Sequence, residues 1–187
     1  LRWSASSVAV GATFDALTAR IARADREALT IEGYGPLRPV KDETTGLELL
    51  QLPEGFRYAS FGWTGEPMED GTRTPPWHDG MAVISDKDGQ VIMARNHEIA
   101  ATGKPIGPAA ITYDANATAG CTNLLFDTNN EKWVKSWPSL SGTVRNCAGG
   151  PTPWGTWLTG EETTLGPGDE YNGVRFDYKQ THGWIFE

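Results

Sequence analysis

The sequence predicts an all-β fold, a series of short antiparallel strand pairs preceded by a short helical or extended N-terminal arm. Three observations carry the prediction. After residue 50, runs of alternating or β-branched residues recur, each bounded by Gly, Asn, Asp or Pro. Eight Trp and 22 Gly suit a turn-rich sheet protein better than a helical bundle. No strongly amphipathic helical pattern follows residue 50.

Residues 1–24 are mostly small and moderately apolar and are interrupted by Asp15, too short and too weakly apolar a run for a membrane span. Within 15–29, the spacing of Leu17, Ile21 and Leu29 allows a helix. Residues 25–48 are polar, contain Pro36 and Pro39, and read as an extended linker. The sheet domain is expected over 49–187. Phe56–Phe61 alternates and reads as a strand, and Gly62–Trp77 as a long loop rich in Gly, Pro, Thr and acids. Met81–Ser85 and Gln90–Arg95 flank Asp86-Lys87-Asp88-Gly89, a hairpin signal. Thr122–Asp127 and Glu131–Trp137 flank Thr128-Asn129-Asn130, a second one. Further short strands are expected in Thr143–Asn146, Gly155–Thr159 and His182–Glu187. Repeated antiparallel units of this kind suit a sandwich or a propeller, and their irregular period does not separate the two.

A net charge of −8 and a pI of about 4.9 argue against nucleic acid or an anionic membrane as partner, since both require basic patches. Cys121 and Cys147 permit one disulfide, but their spacing does not demand it.

The most informative stretch is Asn146-Cys147-Ala148-Gly149-Gly150-Pro151-Thr152-Pro153-Trp154-Gly155-Thr156-Trp157-Leu158-Thr159-Gly160-Glu161-Glu162. It sets a cysteine in a Gly-rich loop, then a Pro-Trp-Gly turn, then a short run ending in two carboxylates. A thiolate suits iron and carboxylates suit iron or calcium, so the pair of donor types can serve a mixed metal site. The competing reading is a small buried residue in a turn followed by a strand with an acidic end. Adjacent strand residues face opposite sides, so only one of Glu161 and Glu162 is expected to face such a site. Glu98, in Asn96-His97-Glu98 at the end of the first hairpin, and Asp79, beside His78, are further candidates. Asp79 also fits the role of turn cap next to Gly80, and His97 that of a structural hydrogen-bonding residue. Asp86-Lys87-Asp88-Gly89 lacks the downstream Glu of a calcium loop, and no Gly-x-Ser-x-Gly nucleophile elbow is present.

The Cys147 stretch resembles the core motif of the PhoX-type alkaline phosphatases. So do Leu52-Pro53-Glu54-Gly55-Phe56-Arg57-Tyr58, Trp77-His78-Asp79-Gly80-Met81, Arg95-Asn96-His97-Glu98 and Thr122-Asn123-Leu124-Leu125-Phe126-Asp127, in the family's order. The resemblance implies a β-propeller with metals on its axis and a phosphatase that hydrolyses small-molecule phosphate monoesters with ferric iron and calcium. It implies Cys147 and Glu162 as metal ligands, with Glu98, Glu161 and Asp79 as further candidates, and leaves Cys121 a small buried residue. An acidic protein acting on phosphate esters needs such local cations to make its pocket attractive. The family's chains are much longer, so the sequence is read as the N-terminal part of a larger protein, a partial propeller inactive alone. Residues 1–24 are then read as the remnant of a twin-arginine (Tat) export signal, which implies the Tat machinery as partner, a periplasmic or secreted location and no stable membrane insertion. Two alternatives stand beside this reading: a non-catalytic calcium-binding propeller module, and a related metal-dependent esterase or lactonase.

Overall fold

The computed structural model describes residues 33–187 and the backbone of Thr30–Ile31. The expected helix over 15–29 and the signal remnant over 1–24 lie outside the described residues. The chain divides into two compact units between Phe61 and Gly62.

In the first unit, β1 (Thr30–Ile31) pairs antiparallel with β2 (Gly35–Pro36), and β3 (Arg38–Val40) with β4 (Leu50–Leu52). The segment expected as an extended linker therefore carries strand pairs. Gly33 and Gly35, at φ of 102° and 79°, let the chain reverse between β1 and β2. The β3–β4 turn is organised by Asp42, whose buried carboxylate accepts hydrogen bonds from the amides of Thr44, Thr45 and Ser60 and the hydroxyls of Thr45 and Ser60. Burial alone would raise its pKa; the Ser60, Thr45 and Thr44 hydrogen bonds outweigh it and hold the carboxyl well below the usual range. Phe56–Phe61 is not a strand. Its polar side chains take up the partners instead: the Tyr58 hydroxyl accepts from the Leu49 amide at 2.9 Å and donates to Val40 O at 3.1 Å, and Ser60 turns onto Asp42.

The second unit opens with a four-stranded antiparallel meander, β5 (His78–Lys87), β6 (Gln90–His97), β7 (Ala119–Asp127) and β8 (Lys132–Thr143), in that spatial order. Both expected hairpins are present. Asp88 and Gly89, at φ of 54° and 78°, form the two-residue turn that matches strand twist, with Lys87 opposite Gln90. At the second, Asp127 accepts hydrogen bonds from the amides of Asn129 and Asn130, closing the loop before Lys132. Next come β9 (Asn146–Pro151), β10 (Trp157–Glu161), the small hairpin of β11 (Glu170–Tyr171) and β12 (Val174–Arg175), and β13 (Ile185–Phe186). β10 pairs with β9 on one side and β13 on the other. The Gly-rich segment holding Cys147, expected as a loop, is strand β9. The fold is all-β apart from one 3-10 turn at Ala109–Ile111, and its sheets do not close into a ring among the described residues.

Two small cores hold this unit. Trp157 from β10 packs with Ala94 and Cys121 from the meander, flanked by Ala82, Ile84 and Leu140. Ala117, Val144, Phe176 and Tyr178 form the other, with Leu165 against it. The first seats β9 and β10 on the meander, which is what brings Cys147 towards the ends of β5 and β6.

Candidate metal centre

β5 and β9 each carry an extra residue at the place where they meet. In β5, Asp79 and Gly80 together oppose Asn96, because His78 pairs with His97 and Met81 with Arg95. In β9, Cys147 and Ala148 together oppose Gly160, because Asn146 pairs with Glu161 and Gly149 with Thr159. Two residues against one is a β-bulge, which bends the strand and re-aims its side chains.

Asn96 ties the two bulges together. Completely buried, it donates from Nδ2 to Cys147 O at 2.7 Å and Ala148 O at 3.2 Å, while Oδ1 accepts from Trp157 Nε1 at 2.9 Å and the Cys121 thiol at 3.2 Å. That uses the full capacity of an amide side chain. Burial pushes the Cys121 thiol up to about 12, so it stays a neutral donor. Gly80 is needed for the close approach: a Cβ there would lie 2.6 Å from Cys147 O. Gly149 makes the matching approach to the Trp157 ring, where a Cβ would come within 2.4 Å.

This packing brings Asp79, Glu98 and Cys147 together, with one potential ligand atom from each lying within 4.8 Å of the others. Glu98 follows β6, its amide donating to Trp77 O at 2.9 Å. Arg145 pairs with Glu98. Its Nη2 donates to Glu98 Oε1 at 3.0 Å and to Glu162 Oε2 at 3.0 Å, and its Nε also reaches Glu98 Oε1 at 3.3 Å. Glu162 is therefore joined to the cluster through a guanidinium. Among the described residues, five non-glycine residues have positive φ; Asp88, Glu131 and Asn172 lie in hairpin turns, while Trp77 and Arg145 flank this cluster. Backbone strain of this kind is characteristic of functional sites.

The hydrogen bond with Asp79, partial burial and the negative charges of Asp79, Glu162 and Glu98 push the Cys147 thiol up to about 11. A cation among these groups reverses the balance, because its charge favours the thiolate. One sulfur and two carboxylates suit iron or another transition metal better than calcium, which takes six to eight oxygen ligands.

Glu161 points the other way. Its buried carboxylate accepts from the Val144 amide and His182 Nδ1 through Oε1, at 2.9 and 2.7 Å, and from the Gly183 and Trp184 amides through Oε2, at 2.6 and 3.1 Å. His182 Nε2 faces Asp114 Oδ2 at 3.3 Å on its far side. Burial would raise the pKa of Asp114, but the amides of Asn116, Gln180 and Lys179, and then His182, lower it. Glu161 closes β10 and turns inward, while Glu162, just past the strand, turns to Arg145. His97 is likewise internal: Nδ1–H donates to Pro76 O at 2.9 Å and Nε2 accepts from the Thr122 hydroxyl at 2.9 Å. Burial lowers its pKa to about 3 and keeps it neutral.

Asn96, Gly80 and Arg145 are residues that motif reading left without a role. A Gly directly after a candidate ligand is a usable signal for close backbone approach. Nothing in the sequence signals that Arg145 stands between two carboxylates.

The sequence model of the family described as alkaline phosphatase PhoX matches residues 32–139 and 128–187. No curated protein and no solved structure matches the chain. With the family match running through Asp79, Glu98, Cys147 and Glu162, the chain belongs to the alkaline phosphatase PhoX family.

Proposed function

We propose that the protein is a metal-dependent phosphatase acting on small-molecule phosphate monoesters, with Asp79, Glu98 and Cys147 as metal ligands. The observation that carries the reading is the convergence of these three donors within 4.8 Å in a member of an alkaline phosphatase family. Cys147 and the two carboxylates would hold ferric iron. Calcium needs an all-oxygen shell, for which Glu162 and the outer face of Glu98 are the available carboxylates in this part of the chain. When bound, such ions neutralise phosphoryl oxygens and activate an oxygen nucleophile. The chain's own part is positional: the Asn96 amide and the Gly80 approach fix the Cys147 backbone, and Arg145 sets the direction of Glu98.

The same reading takes the four-stranded meander β5–β8, which has the make-up of a single propeller blade, as part of a β-propeller. It takes residues 1–24 as the remnant of a Tat signal, with the protein acting in the periplasm or outside the cell.

The test is hydrolysis of an aryl phosphate by the protein carrying this chain, with iron and calcium content measured in parallel. Cys147→Ala is expected to lower bound iron and to reduce turnover about 100-fold or more. A chelator should abolish activity in the unaltered protein. Activity unchanged by both treatments would overturn the proposed centre.

A further inference from the structure

A cavity of about 430 Å³ opens beside Arg145 and Glu162, walled on its apolar side by Ala100, Leu165, Tyr171 and Phe176. Its volume is that of a small-molecule site. Arg145 links its wall to the metal-ligand cluster: the guanidinium is 3.0 Å from Glu98 Oε1, and a Glu98 carboxylate oxygen lies within 4.8 Å of ligand atoms of Asp79 and Cys147. We propose that this cavity receives the organic part of the ester, and that it favours phosphomonoesters of compact aromatic alcohols over those of polyols. The proposal rests on the phosphatase reading and adds the substrate class.

The wall is built to hold a flat apolar group. Phe176 is nearly buried and stacks on Tyr178 with ring centroids 5.2 Å apart and planes 12° apart, so its orientation is fixed by the core. Leu165 packs against the same core. Tyr171 forms the outer rim from β11, and its position is set by the Asn172–Gly173 turn, at φ of 51° and 76°, that joins β11 to β12. Backbone bonds hold the base of this hairpin, with the Phe176 amide on Asp169 O at 2.9 Å and the Gly168 amide on Phe176 O at 3.2 Å. Thr163 accepts the Leu165 amide at 3.3 Å, and the remaining polar lining is Arg145, Glu162 and Thr164. A polyol placed against the wall of Ala100, Leu165, Tyr171 and Phe176 would exchange water for hydrocarbon around its hydroxyls, whereas an aromatic ring would gain by the same transfer. On the polar side of the cavity, Arg145, paired with Glu98, marks the direction in which the phosphoryl group would meet the ligand cluster.

Tyr171→Ala and Tyr171→Phe are the informative variants, because Tyr171 is 56% exposed and its removal leaves the core intact. In the metal-loaded protein carrying this chain, Tyr171→Ala should lower kcat/KM for phenyl phosphate about tenfold while leaving glycerol 2-phosphate within about twofold, and Tyr171→Phe should restore the first value. Calorimetric binding of phenylphosphonate against methylphosphonate gives an independent readout, with a preference for the phenyl compound that shrinks in Tyr171→Ala. Equal losses on both esters, or no loss on either, would overturn the subsite. If the unaltered protein hydrolyses neither ester, the phosphatase reading fails, while the phosphonate comparison still decides the cavity: equal binding of the two compounds overturns it, and a phenyl preference lost in Tyr171→Ala supports it.

Discussion

Asn96 makes four hydrogen bonds from a fully buried amide, two of them to the consecutive backbone carbonyls of Cys147 and Ala148. Asn96→Ala leaves those carbonyls and the Trp157 indole N–H without protein partners. We expect a stability loss of about 2–4 kcal/mol in urea unfolding, together with reduced metal content. Gly80→Ala tests the same junction from the other strand. The added methyl would meet Cys147 O at 2.6 Å, so the Cys147 strand must move away from Asp79. Metal affinity should fall at least about tenfold; an unchanged affinity would show that the donors do not depend on this approach. Of these residues the sequence made Cys147, Glu98 and Asp79 visible as candidates, because their side chains carry metal-binding chemistry wherever they sit. Asn96 and Gly80 act through distances to a segment some 50 to 70 residues away in the chain, and no local pattern encodes those.

At the scale of elements, the hairpin β5–β6 was legible because Asp88-Gly89 imposes its own turn geometry on alternating flanks. The bulges were not, since a bulge is fixed by which residue of the partner strand it faces. β9 shows the same limit: Asn146–Pro151 has the composition of a loop, and becomes a strand because Trp157 covers Gly149 and β10 supplies its ladder. The Phe56–Phe61 run fails in the opposite sense, with Tyr58 and Ser60 drawn into side-chain hydrogen bonds that replace strand pairing. The tie between β10 and the segment leading to β13 runs through Glu161, His182 and Asp114. Glu161→Gln removes a buried charge that accepts three backbone amides and faces the His182 imidazole. It should cost about 2–4 kcal/mol and speed amide exchange at Gly183 and Trp184. Metal content should survive this change, whereas Glu98→Gln should lower it. The reverse outcome would move the metal centre to the inner face of β10.

For the whole molecule, buried groups set a stability window, with Asp42, His97 and Asp114 on the acid side and Cys121 on the alkaline side. Asp114 has a lowered pKa in the fold, so the stability it contributes is present above its unfolded value of 3.8 and is lost as pH falls through the lower folded value. Cys121 has a raised pKa, about 12 against 9.0 when unfolded; its contribution is present below pH 9.0 and is lost as pH climbs towards 12. The second effect amounts to roughly 4 kcal/mol over that span. Urea midpoints measured from pH 3 to 11 should fall at both ends, and Cys121→Ala should flatten the decline above pH 9. A decline of the same slope in that variant would assign the alkaline limit to other groups, Tyr178 first, since burial pushes its hydroxyl up to about 12. No helix among the described residues is long and apolar enough to cross a membrane.

The sequence by itself determined the all-β class, the two hairpins of the meander, the family and the chemical types of the candidate ligands. Each of these depends on side-chain alternation, turn residues or motif identity, all of which are local. Only the tertiary structure decided that Glu161 turns inward to His182 while Glu162 reaches Arg145, and that Asp79 and Cys147 meet at two facing bulges pinned by one asparagine. The reason is physical: strand register and bulge position follow from packing between distant segments, and a shift of a single residue sends a side chain to the opposite face.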